Sequence, residues 1–464
     1  GRTRRMIRSC QTDLATLAAD SRIVVPEASW RDGTLHGVSA FEVRIEPAPP
    51  ERSGGLGLTL DIGTTTVAGA LWDFSDGTCL ATASRANGQI RFGDNVLARI
   101  DFSLASDDGI ARLQRALLTD SLQPLLAGLL RESGRDLAEI SVANAAGNPA
   151  MLHILAGESL EGLARYPFSP VFLDARPLPP AVHQLADGFT IDCLPGLGPF
   201  VGADIAAGAL AAGMLEARQP QLLIDFGTNG EILLNTGDRF LATATAAGPA
   251  FEGGRLNCGA AARPGVVAAL DLADSQWSSR LVGGGGGPAK GVSGAAYVDF
   301  LALALEAGIL NHFGRFNRDH PQVTARRIDG DEEFCVEIAG DLFISEADVA
   351  EILQAKAAIA GGVATLLDQA DLDAGELASV FVAGGFGYHL DPRHASAIGL
   401  LPDVPPDRVD LIGNSSLGGA SLALLAPSHH SLAPLLASCQ TVELNQLPSF
   451  QEHFTDAMLL GPPE

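Results

Sequence analysis

The sequence is short of basic residues, of signals for membrane insertion and of paired cysteines. Its 464 residues include 30 Lys and Arg against 55 Asp and Glu, a formal net charge of -25. Nucleic-acid binding depends on Lys and Arg that neutralise phosphates, so we expect no nucleic-acid partner. The chain has no evident signal peptide and no run of about 20 apolar residues. A soluble cytoplasmic protein with no membrane partner is therefore predicted.

Cysteine is scarce, and its spacing excludes two kinds of site. The six cysteines are Cys10, Cys79, Cys193, Cys258, Cys335 and Cys439. They lie far apart and form no CxxC pair, so neither a zinc site nor a disulfide framework is indicated. We interpret five of them as small buried hydrophobic residues. Cys10 stands apart, near the start of the chain, in the stretch Ile7-Arg-Ser-Cys10-Gln11.

What the chain does have is a repeated order of elements. At 47% hydrophobic residues it can form sizeable cores, and its length predicts two to four domains of about 100 to 200 residues each. A buried strand runs into a glycine turn and a return strand at 57–72, and the same order recurs at 221–234. This recurrence predicts a duplicated α/β unit. Residues 253–340 have no counterpart in the first half and are predicted to form an inserted subdomain.

Three motifs carry the predicted chemistry. LTLDIGTTTVAG (58–69) and LLIDFGTNGEILL (222–234) each place an aspartate at a strand end, before a glycine that is free to take positive φ. Such turns can hold phosphate, and the aspartate supplies a hard oxygen for Mg²⁺. One such motif alone is as typical of an ordinary β-hairpin as of a phosphate site. Two such motifs predict a nucleotide bound between them, with one loop on each side. The glycines of SVFVAGGFGYH (379–389) would admit a flat ring.

In this order the motifs resemble phosphate 1, phosphate 2 and adenosine of the superfamily of sugar kinases, heat-shock chaperones and actin. The resemblance covers 57–426 and implies an actin-like (ribonuclease H-like) ATPase fold with ATP and Mg²⁺ as cofactors. It assigns catalytic roles to Asp61, Asp225 and Asn148, and Mg²⁺ to Asp61 and Asp225, partly through water. The residues that it places on the nucleotide are Gly63, Thr64, Thr65, Thr66, Gly227, Thr228, Asn229, Gly230, Lys356, Gly384 and Gly385. Two alternatives stay open, since Asn148 is equally typical of a helix N-cap and Lys356 of a solvated helix face.

Five further stretches narrow the resemblance. They are NGQIRFGDNVLARIDF (87–102), GNPAMLHILAG (147–157), PFVGADIAAG (199–208), AAGPAFEGG (246–254) and VELNQLPSFQEHF (442–454). This set resembles the reductive activators of corrinoid proteins. The resemblance implies ATP-dependent reduction of Co(II) to Co(I) in a corrinoid protein of a methyltransferase system, with an electron from an iron-sulfur cluster. Asp204 and Glu252, beside glycines in these stretches, are candidates for contact with metal, nucleotide or partner. An upstream electron donor and a homodimer are further expectations.

Three other functions stay open at this point. A small-molecule kinase of the sugar/acetate kinase superfamily is the main alternative, and turnover of an acceptor would reveal it. An activator of 2-hydroxyacyl-CoA dehydratase would carry its cluster on cysteines of the ATPase, a context that Cys258 and Cys335 lack. A chaperone-like ATPase is disfavoured because no substrate-binding domain follows.

The resemblance also gives Cys10 a meaning. In adrenodoxin-like ferredoxins the fourth cluster ligand lies in a comparable stretch, followed by a strand such as Arg22-Ile-Val-Val-Pro26. We therefore expect Cys10 to ligate a two-iron two-sulfur cluster only in a longer chain, with three thiolates upstream. The expected organisation is a ferredoxin tail (1–26), a linker (27–54), two ATPase subdomains (55–218 and 219–427, the insertion at about 253–340) and a C-terminal tail (428–464).

Overall fold

The computed structural model describes most of the chain after residue 49. The described residues are 50–461, except 228, 284–286, 329 and 388–389, and the backbone of 29–31, 34–36 and 43–44. Three short strands form a small antiparallel sheet: β1 (Ser29–Arg31), β2 (Thr34–His36) and β3 (Val43–Arg44). Cys10, Thr228 and the predicted ferredoxin tail lie outside the described residues.

The first half is built on a six-stranded sheet. Its strands are β4 (Leu56–Ile62), β5 (Thr66–Asp73), β6 (Thr78–Ala86), β7 (Ile140–Gly147), β8 (Arg176–Leu178) and β9 (Ile191–Cys193). Their spatial order is β6-β5-β4-β7-β9-β8, and β4 pairs antiparallel with β5 and parallel with β7. A parallel pair requires a long crossover, and helices supply it here. The carboxyl ends of β4 and β7 consequently meet at one edge.

Helices connect and cover the strands of this half. They are α1 (Val96–Leu104), α2 (Gly109–Ala116), α3 (Gln123–Ser133), α4 (Pro149–Ala156), α5 (Glu161–Ala164), α6 (Pro180–His183) and α7 (Ala203–Ala211). Helices α2 and α3 are continuous through a π-helical segment, Leu117–Leu122, between them. The helix ends at Gly134, whose φ of 66° gives a left-handed cap.

The second half repeats the sheet and carries an insertion. Its strands are β10 (Gln221–Phe226), β11 (Gly230–Asn235), β12 (Phe240–Thr245), β13 (Val267–Ala273), β14 (Gln276–Leu281), β15 (Val323–Ile328), β16 (Asp331–Ala339), β17 (Leu342–Ser345), β18 (Ser379–Ala383), β19 (Val409–Gly413) and β20 (Cys439–Thr441). The main sheet runs β19-β18-β10-β11-β12-β20, with β10 antiparallel to β11 and parallel to β18. β10 therefore occupies the position that β4 has in the first half, and the predicted duplication is confirmed. Strands β13 to β17 form two separate antiparallel sheets inside the insertion.

Seven helices accompany these strands in the described part of this half. They are α8 (Gly294–Glu306), α9 (Glu346–Ala370), α10 (Gly384–Gly387), α11 (Pro392–Ala397), α12 (Ser415–Leu425), α13 (Ala433–Ser438) and α14 (Pro448–Asp456). A capping box opens α9, since the Ser345 hydroxyl accepts from Asp348 N at 3.2 Å and Asp348 Oδ2 accepts from Ser345 N at 2.9 Å. By length and composition α9 could cross a membrane, but 72% of its most apolar window is buried inside the protein.

Helices α7 and α12 form a shared layer between the two sheets. Helix α7 follows β9 and α12 follows β19, and the small residues of both helices let their backbones approach closely. A Cβ on Gly419 would overlap the carbonyl of Ala207, and its distance to the Ala207 Cα would be only 2.8 Å. Buried residues of both sheets, among them Trp72 and Leu223, pack in this layer. The layer fixes the relative position of β4 and β10, the two strands that end in the phosphate motifs.

Candidate functional site

Asp61, at the end of β4, is held by the opposite half of the protein. Asn414 Nδ2 donates to Asp61 Oδ2 at 2.9 Å, and the Ser416 hydroxyl donates to Oδ1 at 2.8 Å. Both donors belong to the N-terminus of α12. Burial raises the pKa of Asp61, and these two hydrogen bonds act in the opposite direction. The carboxylate that the sequence assigns to phosphate 1 thus lies at the junction of the two halves.

The loop after β4 needs glycine at position 63 for steric reasons. Neither Gly63 nor Gly227 uses the positive φ that is open to glycine, since neither is among the described glycines with positive φ. A Cβ at position 63 would instead overlap the carbonyl oxygen of Thr66, so the loop closes too tightly for a side chain. A Cβ at position 227 would lie 3.2 Å from Asn229 O, which is also tight.

Three carbonyl groups of this first loop are bound on one side. Asn87 Nδ2 donates to Gly63 O at 2.9 Å, and Asn87 N donates to Thr65 O at 2.8 Å. Arg99 Nη2 donates to the carbonyl between them, Thr64 O, at 2.5 Å. In a trans peptide the carbonyl and the following N–H point in opposite directions. The loop is therefore oriented with its amide hydrogens away from Asn87 and Arg99, as a phosphate-binding loop requires.

Asn148 combines both roles that the sequence left open. Its Oδ1 accepts from Met151 N at 3.1 Å, so the residue is the N-cap of α4. Its Nδ2 donates to the hydroxyl of Thr64 at 3.0 Å, which brings it to the first loop. The cap is confirmed, while the role in catalysis stays a prediction.

The second and third motifs meet at Asp225, at the end of β10. Gly227 N donates to Asn229 O at 3.1 Å and closes the second loop. Gly384 has a φ of 87°, and a Cβ there would overlap Phe226 O and lie 2.8 Å from Asp225 Oδ1. Gly385 beside it is exposed, with open space where a Cβ would be. This arrangement leaves room for a planar ring next to the Asp225 loop, as the adenosine motif requires.

Asp225 lies among other acids. In the β10–β11 register it is directly opposite Glu231, so the two side chains share one face of the sheet. Burial, followed by the nearby Asp204, Asp61 and Glu252, raises the pKa of Asp225 to about 8. Burial and Asp61 raise the pKa of Asp204 to about 7, and the pKa of Glu231 is raised well above its ordinary value, mainly by burial. In the described part of the chain no Lys or Arg forms an ion pair with Asp204, Asp225 or Glu231.

The two halves differ at one matched position. Asp204 is the second residue of α7, and Ser416 is the second residue of α12. Ser416 donates a hydrogen bond to the strand-end Asp61, whereas Asp204 adds a like charge near the strand-end Asp225. Asp61 of the first half is therefore held by neutral donors from the second half, whereas Asp225 of the second half faces a further acid, Asp204, from the first.

Family comparisons agree with this architecture. A model of the RACo C-terminal domain, the ASKHA domain, matches residues 219–463, which is more than half of the chain. A model of the RACo middle region matches 56–217. The chain belongs to the reductive activators of corrinoid proteins. A solved structure of a reductive activator for corrinoid, iron-sulfur protein matches this activator with a TM-score of 0.79 and 30% identity, over 93% of this chain and 69% of that chain.

Two curated relatives match the activator over most of its length. The corrinoid activation enzyme RamQ of Eubacterium limosum is 29% identical over 426 residues, which are 87% of this chain and 70% of the relative. A [Co(II) methylated amine-specific corrinoid protein] reductase of Methanosarcina barkeri is 24% identical over 405 residues, 80% of this chain and 70% of the relative.

The activator's acids fit a magnesium ion that also uses ligands from outside the protein. Among the described residues no group of three or more His, Cys, Asp or Glu could hold a metal ion. Mg²⁺ usually binds through one or two carboxylates, several waters and the substrate's phosphates. Asp225 and Asp204, which form no ion pair with Lys or Arg among the described residues, fit this pattern best, and Asp61 is near enough to act on both.

Lys356 lies in a different setting from either sequence-based alternative. The side chain is buried, and its Nζ donates to Ala457 O at 2.6 Å and to Leu459 O at 2.5 Å. The solvated helix face is therefore wrong. Burial lowers the pKa of Lys356 to about 8. Its assignment to ribose or adenine stays a prediction, while its observed hydrogen bonds hold the C-terminal segment against α9.

Sequence reasoning missed five residues of this site, one of which is Asn87, the donor to two carbonyls of the first loop. Asn414 and Ser416 hold Asp61, Arg99 holds the first loop, and Glu231 faces Asp225. Only Glu231 left a usable signal, because aligning the two motifs at their aspartates sets it against the apolar Val67. Packing at this position requires only an apolar residue, as Val67 in the first half shows. A glutamate at the matching position of the second half therefore indicates a functional role.

The raised pKa values predict how the activator's stability changes with pH. Asp204, Asp225 and Glu231 bind protons more tightly when folded, so the stability that they contribute is complete below their unfolded pKa of about 4. That contribution falls as pH rises through the folded values of about 7 and about 8. Urea denaturation without Mg²⁺ should therefore give a lower free energy of unfolding at pH 8.5 than at pH 5.5. Asp225→Asn should reduce this difference, and an equal difference in both proteins would contradict the assignment.

Proposed function

We propose that this chain hydrolyses ATP to drive the reduction of Co(II) to Co(I) in a corrinoid protein. The observation that carries the proposal is the pair of strand-end aspartates, Asp61 and Asp225, each beside a tight loop and close enough to interact electrostatically. The names of the two curated relatives, a corrinoid activation enzyme and a corrinoid protein reductase, support the substrate.

In this proposal the two loops grip the phosphates of ATP from opposite walls. Gly63, Thr64, Thr65 and Thr66 would bind through amide and hydroxyl groups on one side, and Gly227, Thr228, Asn229 and Gly230 on the other. Mg²⁺ bound at Asp225, Asp204 and, through water, Asp61 would supply charge neutralisation to the phosphates. Gly384 and Gly385 would admit the adenine, and Asn148 would help to place the water. Glu252 contributes to the field at Asp225 and stays a candidate contact.

The energy of partner binding is sufficient for the electron transfer. For one electron, 59 mV corresponds to about 1.4 kcal/mol, so a few hundred millivolts need on the order of 5 to 7 kcal/mol. A nanomolar complex provides about 12 kcal/mol. ATP would then control which conformation of the activator binds the partner, or release it afterwards.

The electron source is a separate part of the proposal. We propose that it is a two-iron two-sulfur cluster to which Cys10 contributes one ligand in a longer chain, reduced by an upstream donor. Iron and sulfide analysis of such a chain and of its Cys10→Ser variant would test this. Equal iron in both proteins would return Cys10 to an ordinary thiol. A homodimer and a cytoplasmic location stay predictions.

The decisive experiment measures ATP hydrolysis by this chain with and without a Co(II) corrinoid protein. We expect hydrolysis to rise several-fold with the partner, and Asp61→Ala to abolish it by removing the carboxylate that α12 holds. Arg112→Met, an exposed change outside the cleft, is the control. If the rate of ATP hydrolysis is unchanged by the corrinoid protein but rises with a sugar or an organic acid, the kinase alternative is favoured instead.

A further inference from the structure

The first phosphate loop depends on a buried arginine that no motif assigned. We propose that Arg99 is a positioning residue that holds the loop 63–65 in its phosphate-binding conformation and adds a positive charge behind it. This inference rests on the proposed function and deepens it, since it concerns how the same site recognises the phosphates of ATP.

The guanidinium of Arg99 is fully buried, and its hydrogen bonds go to neutral acceptors. Nη2 donates to Thr64 O at 2.5 Å, Nη1 to Gln89 Oε1 at 2.9 Å, and Nε to Gly93 O at 3.0 Å. Nη1 also lies 3.2 Å from the sulfur of Met151. Within the described residues Arg99 forms no ion pair, and the acid that acts on it from a distance is Asp94.

Burying a cation without a paired anion costs folding free energy, which indicates that Arg99 has a function that offsets this cost. Leaving a buried charge uncompensated costs several kcal/mol, which neutral hydrogen bonds offset only in part. Burial accordingly lowers the pKa of Arg99 to about 10, at which the side chain is still charged at neutral pH. An anion on the far side of the Thr64 peptide would complete the charge balance, and that is the side to which the loop's amides point.

The surrounding structure fixes the guanidinium in place. The N-cap Asn95 opens α1 by accepting from Ala98 N at 2.9 Å, which sets Arg99 one turn into the helix. Gln89 is itself held, since its Nε2 donates to Leu113 O at 3.1 Å. The planar guanidinium reaches three acceptors in fixed directions, which a lysine ammonium at the same place cannot reproduce.

The loop that Arg99 holds binds phosphate and not the adenosine part of the nucleotide. Removing Arg99 should therefore weaken the binding of ATP much more than the binding of adenosine. Because the loop contacts ground state and transition state alike, the change should appear in KM with kcat nearly preserved. Loss of one charge-assisted contact predicts a rise of about tenfold to a hundredfold in the Kd of ATP.

The test compares Arg99→Met and Arg99→Lys with Arg112→Met. Arg112 lies on α2, is exposed, and stacks over Phe92 and Phe102, so its loss removes a nearby cation without touching the loop. Calorimetric Kd values for ATP and for adenosine, KM and kcat for ATP hydrolysis, and thermal unfolding without nucleotide are measured for each protein. We expect a raised ATP Kd in both Arg99 variants, an unchanged adenosine Kd, and wild-type values for Arg112→Met.

Each outcome distinguishes this inference from the proposed function. The positioning role would be overturned if the Arg99 variants bound ATP and adenosine equally weakly. Wild-type affinity for ATP in a folded Arg99→Lys protein would overturn it as well. If Arg99→Met does not fold, the lysine variant alone decides, because it keeps the charge and loses the fork. Failure of the wild-type chain to bind ATP at all would instead overturn the proposed function.

Discussion

Replacing Asp225 by asparagine is expected to lower the rate of ATP hydrolysis by about a hundredfold or more and, at the same time, to stabilise the protein. The loss follows because Asp225 is a proposed ligand of the Mg²⁺ that neutralises the phosphates, and loss of such preorganised electrostatic stabilisation typically costs a factor of about 10² to 10³. The gain follows because burial, together with the nearby Asp204, Asp61 and Glu252, raises the pKa of Asp225 to about 8 in the folded protein. An amide of the same shape carries no such penalty at pH 8.5. Opposite changes in activity and stability are typical of a residue kept for function.

A matched control is Asp410→Asn on the neighbouring strand β19. The pKa of Asp410 is also raised, but this shift comes from burial alone, with no contribution from the acids of the cleft. This variant should keep wild-type hydrolysis. Steady-state kinetics and urea denaturation at pH 8.5, both in the presence and absence of Mg²⁺, measure the two effects. An Asp225→Asn protein that is less stable than wild type without Mg²⁺ would show that Asp225 is held by contacts and not by a cation.

Replacing Gly419 by alanine is expected to destabilise the protein by about 3 kcal/mol, the upper part of the range for overpacked interiors. The added methyl would overlap the carbonyl of Ala207 where α7 and α12 cross, and the obstacle is backbone on both sides. The helices must move apart, and α12 carries Asn414 and Ser416, which hold Asp61. We therefore expect ATP hydrolysis to fall together with stability.

The control for this prediction is the same substitution in an open position. Gly128 lies inside α3, and a Cβ there would meet nothing within 4 Å. Gly128→Ala should raise the free energy of unfolding by about 0.5 to 1 kcal/mol, because alanine favours the helix and restricts the unfolded chain. Urea denaturation of both variants gives the comparison. Similar effects of the same sign would show that helix propensity, and not the α7–α12 contact, decides the outcome at position 419.

Local motifs in the sequence were sufficient to locate the strand ends that carry Asp61 and Asp225. A strand, a glycine turn and a return strand are encoded within about fifteen residues, and the repeat of that order identified the duplicated fold. The sequence did not show why glycine is needed in the first loop. Gly63 is required because Thr66 O lies where a side chain would be, and only the folded turn reveals this.

The sequence by itself determined the duplicated α/β architecture, the three nucleotide motifs and the family, because each depends on residues close together in the chain. Only the tertiary structure decided what surrounds them. Asn414 reaches Asp61 across 353 positions, and Lys356 reaches Leu459 across 103. Such contacts depend on how α7, α9 and α12 pack. Hydrogen bonds and charges act over a few ångströms in space, so the environment of each motif is set by packing and not by its own spacing.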